Sequence, residues 1–135
     1  MNRNVLVVDD EEVCITVLND LLTHEGYQVY SAKTGEEALT MLKSNDIGVV
    51  LLDKNLPGVS GMEILKKIKK DYPSIQIIMV TGYGTKETAL EAEMNGAYSY
   101  LLKPFDLNVA KTLVRTAFIA RDLHAQRTSE KSSAV

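Results

Sequence analysis

The chain has 135 residues, 45% of them hydrophobic and 24% charged, and its formal net charge at pH 7 is -3. This length suits one domain with a proper core, and the negative charge argues against a nucleic-acid-binding surface on it. No apolar run approaches the roughly 20 residues of a membrane-spanning helix. The start leads directly into a strand pattern, so we predict no signal peptide, and the single Cys14 is predicted to be a buried, inert thiol. Together these features indicate a cytoplasmic protein.

Short apolar runs alternate with amphipathic stretches along the chain. Five of them have the length and pattern of strands, at residues 5–8, 27–31, 49–53, 75–80 and 98–102. The second run alternates, which is typical of a half-buried edge strand. The third is wholly apolar until it reaches Asp53, which indicates a strand buried on both faces.

Helical patterns separate these strands. Apolar residues recur every three or four positions from Val13 to Leu22, and Gly26 follows as a helix-ending residue. Thr34 is predicted to cap the second helix, with Glu37 at the capping-box position. The third helix is predicted to bury one face and to expose a lysine-rich one, formed by Lys66, Lys67, Lys69 and Lys70. Five strands alternating with five helices predict one doubly wound parallel α/β sheet, because parallel strands need helical crossovers.

Polar residues stand at the carboxyl ends of four predicted strands. Asp9 and Asp10 follow the first, Asp53 ends the third, and Thr81 and Lys103 follow the fourth and fifth. In a parallel sheet these ends share one edge, where ligands bind. Three carboxylates there repel one another, and Mg²⁺ would relieve this while keeping waters for a phosphate to share. A phosphoryl group would also satisfy the lysine and the hydroxyl, and an accessible aspartate can accept one covalently.

Four short motifs occur in order at these strand ends: Val7-Val8-Asp9-Asp10-Glu11, Leu52-Asp53 followed by Pro57-Gly58 and Gly61, Val80-Thr81-Gly82, and Lys103-Pro104-Phe105. Together they resemble the receiver domain of two-component response regulators. The resemblance implies a flavodoxin-like single domain with strand order 2-1-3-4-5 over residues 1–122. Residues 123–135 would then be a helix end and a flexible tail or linker, frayed from about Gln126.

The same resemblance implies roles around the acidic cluster. Asp53 would be the phosphoacceptor, with Asp10 binding Mg²⁺ directly and Asp9 acting through a water. Asn55 occupies the position that gives its backbone carbonyl to the metal. Lys54, directly after the acceptor, departs from the pattern, and we expect its side chain to point away.

Further roles are implied on the fourth and fifth strands. Thr81 and Lys103 would contact the phosphoryl oxygens, and Thr81 with Tyr100 would form the switch. The Lys103–Pro104 bond is usually cis in the family. Tyr83, two residues after Thr81, occupies a variable position that tunes phosphoryl lifetime.

The resemblance therefore implies a phosphorylation-controlled signalling domain that takes its phosphoryl group from a sensor histidine kinase or phosphotransfer protein. It would not be a conventional enzyme, since it would catalyse only its own phosphorylation and slow dephosphorylation. The stretches 80–85 and 97–105 are similar to receivers of nitrogen-regulatory transcriptional activators. A stand-alone receiver acting through protein–protein contacts is the alternative. A Mg²⁺-dependent phosphatase with an aspartate nucleophile would typically carry a second acid where Asn55 stands.

The fifth helical pattern suggests a second surface. Its inner stripe is predicted to contain Leu107, Ala110, Leu113 or Val114, and Ala117. Phe118 and Ile119 are adjacent, so at least one should face away from the sheet, and Leu123 continues the apolar content. We predict a homodimer through the fourth helix, fifth strand and fifth helix. Alternatively, Phe118 closes the core and Ile119 is a lone exposed apolar residue.

Overall fold

The computed structural model describes residues 2–82 and 84–133, with side chains of the last helix as far as Arg127. Tyr83, which occupies the variable position predicted to tune phosphoryl lifetime, lies outside the described residues. None of the helices in these ranges combines the length and apolarity needed to cross a bilayer.

One parallel sheet forms the centre of the molecule. Its five strands are β1 (Asn4–Val8), β2 (Gln28–Ala32), β3 (Val49–Asp53), β4 (Gln76–Thr81) and β5 (Ser99–Leu102). They lie in the order β2-β1-β3-β4-β5, and every neighbouring pair is parallel. The predicted flavodoxin-like fold, its strand order and the edge position of the second strand are confirmed. The observed strands differ from the predicted runs by only one residue at their ends.

Five helices cover both faces of the sheet: α1 (Glu12–His24), α2 (Gly35–Ser44), α3 (Gly61–Asp71), α4 (Lys86–Met94) and α5 (Leu107–Ser133). Alternate residues of β1 point to opposite faces, so Leu6 packs with α2 and α3 while Val5 packs with α1 and α5. All five residues of β3 are buried, as its unbroken apolar run predicts.

The predicted helix ends are largely confirmed. The Thr34 hydroxyl accepts the backbone N–H of Glu37, and Gly26 follows α1 with a φ of 93°. The Glu37 carboxylate accepts the N–H of Lys33 and not that of the cap residue. The prediction of a regular capping box is therefore wrong in this one contact, which is shifted by one residue.

Two predictions about side-chain exposure on α3 and α5 are wrong. Leu107, assigned to the inner stripe of α5, is 46% exposed, and burial begins one turn later at Ala110. Lys69 is half-buried and does not lie on a solvated face. Its ammonium donates to the carbonyls of Pro73 and Ile75, so it stabilises the backbone that leads into β4.

The end of α5 also differs from expectation. The backbone predicted to fray from about Gln126 is helical as far as Ser133. No glycine or proline follows Pro104, and Ala125, Gln126 and Arg127 are good helix formers, so nothing local interrupts the helix. The division of the chain at residue 122 stays a prediction.

Candidate functional site

The carboxyl ends of four strands bring the predicted site residues together. Because β1 and β3 pair in register up to Val8 and Leu52, the acids that follow, Asp9 and Asp53, lie side by side. Thr81 ends β4 opposite Leu102 of β5, and the backbone N–H of Lys103 donates to the Thr81 carbonyl at 2.8 Å. The sheet register alone therefore places these side chains at one edge.

Three carboxylates meet at this edge. One oxygen each from Asp9, Asp10 and Asp53 lies within 4.8 Å of the others. Asp9 and Asp53 are only 2% and 4% exposed, whereas Asp10 is exposed. An all-oxygen donor set with one open side fits Mg²⁺, which binds through one or two carboxylates and keeps waters for a phosphate to replace.

The Lys103 ammonium lies among the acids. Its Nζ donates to Asp9 Oδ2 at 2.7 Å, to Glu11 Oε1 at 3.1 Å and to Asp53 Oδ2 at 3.4 Å. Burial would lower the pKa of Lys103, but its hydrogen bonds to Asp9 and Glu11 outweigh burial and hold this pKa above its ordinary value. The lysine is therefore a fixed positive charge at the site.

The two buried acids differ in their surroundings. Burial tends to raise the pKa of Asp9, but hydrogen bonds from Lys103, Cys14 and the backbone of Glu11 bring it below the ordinary value. For Asp53, burial raises the pKa, and the negative charge of Asp9 adds to it. The hydrogen bond from the Asn55 N–H, at 2.9 Å, only partly opposes this. Asp53 is thus the carboxylate with the less stabilised charge.

The start of α3 packs directly against the backbone of Asp53 and Lys54. The N–H of Gly61 donates to the Lys54 carbonyl at 2.9 Å. A side chain at Gly61 would overlap the Asp53 carbonyl oxygen and approach Lys54 Cα to 2.7 Å, so only glycine fits there. The expectation that the Lys54 side chain points away from the site stays a prediction.

A cleft of about 540 Å³ opens above these residues, lined by Asp10, Glu11, Asp53, Asn55, Gly82 and Lys103 together with Pro104. The Lys103–Pro104 peptide bond is cis, as expected. The structure therefore gives the acidic cluster a route to solvent on the side of Asp10 and Lys103.

The sequence model of the response regulator receiver domain matches residues 5–115, which include every one of these site residues. The chain belongs to the response regulator receiver domain family. It is a phosphorylation-controlled signalling domain, and the resemblance read from its motifs is confirmed.

Known proteins similar to this receiver domain differ in their length. It is 36% identical over 115 residues to sporulation initiation phosphotransferase F of Bacillus subtilis (strain 168), covering 85% of this chain and 93% of that protein. It is also 36% identical over 126 residues to the transcriptional regulatory protein ZraR of Escherichia coli (strain K12), covering 93% of this chain but only 29% of ZraR. Among solved structures, the beryllofluoride-activated NtrC4 receiver domain dimer aligns with a TM-score of 0.85 and 36% identity, covering 88% of this chain and 98% of that one.

The predicted switch residues of the receiver domain lie on neighbouring strands. The buried Thr81 hydroxyl accepts a hydrogen bond from the Asn55 side-chain amide at 3.0 Å. The half-buried Tyr100 has its hydroxyl 3.3 Å from that of Thr88, which forms the capping box of α4 with Thr85. Tyr100 is thus bonded to the start of the helix that follows the Thr81 loop, while its switching role stays a prediction.

Two neighbours of the site were missed by sequence reasoning. Glu11 reaches Lys103, and the Cys14 thiol is hydrogen-bonded to Asp9. Cys14 is half-buried, so the prediction of a buried thiol is wrong. Its partial burial, together with Asp9, raises the pKa of Cys14 to about 12, which agrees with an inert thiol. The available signal was position: Glu11 directly follows the acidic pair, and Cys14 lies in the first turn of the helix after it.

Proposed function

We propose that this receiver domain accepts a phosphoryl group on Asp53 from a phosphohistidine of a sensor histidine kinase or phosphotransfer protein. One observation carries the proposal: the Asp53 carboxylate lines the cleft between the Lys103 ammonium and two further carboxylates. A nucleophile, a fixed cation and an oxygen-rich metal site thus share one opening. Phosphoryl transfer depends chiefly on such positioning and charge stabilisation.

Each residue of the site has a separate role in the proposed transfer. An oxygen of Asp53 forms the new bond to phosphorus while the phosphorus–nitrogen bond of the donor breaks, and the leaving imidazole nitrogen takes the electron pair. The N–H of Asn55 holds one Asp53 oxygen and so orients the carboxylate. Lys103 and Thr81 contact the transferred oxygens. Mg²⁺, held by Asp9, Asp10, Asp53 and the Asn55 carbonyl, would offset the negative charge that the acids and the phosphoryl group accumulate.

This chemistry is autocatalytic and slow. The domain catalyses its own phosphorylation and the slow hydrolysis of the acyl phosphate, and it turns over no separate substrate. The phosphatase alternative is disfavoured because the side chain two positions after Asp53 is an amide, and this amide donates to Thr81. A neutral amide cannot supply the proton that a general acid must deliver.

The similar known proteins indicate the kind of full-length protein to which this domain belongs. We infer that the domain is the cytoplasmic receiver of a transcriptional regulator, because the chain spans less than a third of ZraR and about the same share of NtrX-like regulators. The alternative of a stand-alone receiver is supported by the phosphotransferase it almost fully covers. The reading frame of the full gene distinguishes the two.

A homodimer is the proposed form of the activated domain. Exposed apolar side chains lie along α4, β5 and α5: Leu90, Met94, Leu102, Ile119 and Leu123. The similar NtrC4 receiver domain forms a dimer when activated by beryllofluoride. Sedimentation with and without beryllofluoride tests this. A wild type that stays monomeric in both states, with a mass unchanged by Ile119→Asp and Leu123→Asp, would refute it.

The phosphoryl site itself is tested by binding of beryllofluoride, followed by ¹⁹F NMR. We expect Mg²⁺-dependent binding to the wild type and none to Asp53→Asn. Asp71→Asn is the matched control, because Asp71 is an exposed acid at the far end of α3. Binding that persists in Asp53→Asn, or a wild type that does not bind, would overturn the proposal.

A further inference from the structure

The Lys103 ammonium is fully engaged before any phosphoryl group arrives. A lysine has three N–H donors, and here they face three carboxylates, those of Asp9, Glu11 and Asp53. The longest of the three contacts is the one to Asp53, at 3.4 Å. A phosphoryl oxygen on Asp53 that draws the ammonium closer must therefore compete with the two shorter contacts, those to Asp9 and Glu11.

Glu11 is the carboxylate that can release the lysine at least cost. Asp9 is buried, and its second oxygen is held by the Glu11 N–H at 2.9 Å. The Glu11 side chain is 65% exposed, so water replaces the lysine readily. Glu11 is also the N-cap residue of α1, yet its side chain makes no capping hydrogen bond. The hydrogen bonds at the start of α1 therefore do not use this carboxylate, which leaves it free to bind Lys103.

The position of Glu11 adds a second effect. It lines the mouth of the cleft together with Asp10 and Lys103. Phosphodonors are anions, so a negative charge at the mouth repels them as they approach. Both effects of Glu11, its hold on Lys103 and its repulsion of the entering donor, should slow phosphorylation of Asp53.

We propose that Glu11 is a positioning residue that draws Lys103 toward α1 and away from Asp53, and thereby slows phosphoryl entry from anionic donors. This inference rests on the proposed function, because it concerns the same lysine and the same acceptor. When a phosphoryl group is bound, Lys103 leaves Glu11 for a phosphoryl oxygen while it keeps its shorter bond to Asp9. Glu11 then faces solvent.

The chain offers a matched control in the next residue. Glu12 carries the same charge in the first turn of α1, but its carboxylate pairs with Lys33 at 2.7 Å and makes no contact with Lys103. Glu11→Ala and Glu12→Ala therefore remove equal charge, and only the first removes the contact to Lys103. At saturating Mg²⁺ and without phosphodonor, the Lys103 side-chain NMR resonances should shift in Glu11→Ala and stay in place in Glu12→Ala.

Phosphorylation and mimic binding give the second readout. With acetyl phosphate at saturating Mg²⁺, Glu11→Ala should be phosphorylated about threefold faster than wild type, the size expected for one screened charge near a dianion. It should also bind beryllofluoride more tightly, whereas Glu12→Ala should match the wild type in both. Equal behaviour of the two variants, or no change in Glu11→Ala, would overturn this inference while a wild type phosphorylated on Asp53 leaves the proposed function standing. A wild type that takes no phosphoryl group would overturn both.

Discussion

The side-chain amide of Asn55 donates a 3.0 Å hydrogen bond to the hydroxyl of Thr81. Asn55 belongs to the loop after β3, and its N–H also holds the Asp53 carboxylate. Thr81 ends β4 and is fully buried. Asn55 therefore links the proposed acceptor, through its backbone N–H, to the proposed switch residue on the next strand, through its side-chain amide.

A double-mutant cycle measures this link. We expect Asn55→Ala and Thr81→Val to show a coupling of about 1 kcal/mol in the free energy of unfolding, the usual size of a partly buried hydrogen bond. Urea denaturation of the two single variants, the double variant and the wild type gives the value. Strictly additive effects would show that the bond contributes nothing to stability.

The positive charge of Lys103 should oppose Mg²⁺ binding at the neighbouring carboxylates. Lys103→Met leaves Asp9 and Asp53 without their cation, so the metal-free protein should lose about 2 kcal/mol at neutral pH. The same change should increase Mg²⁺ affinity, because the site loses a positive charge that repels the metal. Metal titration and urea denaturation measure the two effects separately.

Asp10→Asn should act in the opposite direction on both quantities. It removes one charged oxygen ligand and should weaken Mg²⁺ binding, while relief of repulsion should slightly stabilise the metal-free protein. An Asp10→Asn protein with unchanged Mg²⁺ affinity would mean that the wrong acid has been assigned to the metal.

The two buried acids should respond to pH with opposite signs. The folded-state pKa of Asp53 is raised above its ordinary 3.8 by burial and by the charge of Asp9, so its ionisation favours unfolding. Asp53→Asn should therefore stabilise the metal-free protein at pH 7. The gain should shrink as the pH falls through the raised pKa and vanish below 3.8, where the carboxyl is protonated in both states.

Asp9→Asn is the matched control for this pH dependence. Hydrogen bonds from Lys103 and its neighbours hold the Asp9 pKa below its ordinary value despite burial, so the ionised carboxyl favours folding. Its loss should destabilise the protein at pH 7, and the penalty should disappear only as the pH falls from 3.8 through the lowered pKa. Urea denaturation in EDTA across this range checks both. If Asp53→Asn and Asp9→Asn changed the free energy of unfolding in the same direction at pH 7, the opposite pKa shifts assigned to these two acids would be contradicted.

Gly61 sets how closely α3 approaches Asp53. Gly61→Ala would force a methyl group against the Asp53 carbonyl and should cost about 2–3 kcal/mol of stability. Gly82→Ala is the comparison, because a Cβ there comes no closer than 4.0 Å to Lys103 Cβ. Thermal unfolding of both variants tests the contrast. Similar losses in the two would show that the close approach at α3 is not responsible.

The strand order and the meeting of the site residues could be predicted because both follow from backbone rules. Apolar runs ending in Asp9, Asp53 and Lys103 must share an edge in a parallel sheet. The contacts that were missed depend on how long side chains reach between elements. Lys69 bends back to two carbonyls and Glu11 reaches across to Lys103, and no periodicity in the sequence encodes either contact.

Mapping of the phosphorylated residue tests the central claim most directly. The protein is incubated with Mg²⁺ and acetyl phosphate, the acyl phosphate is reduced with borohydride, and the modified residue is identified by peptide mass spectrometry. We predict modification of Asp53 alone, with none in Asp53→Ala. Modification that is undiminished in Asp53→Ala, or that lies on Asp9 or Asp10 in the wild type, would contradict the account.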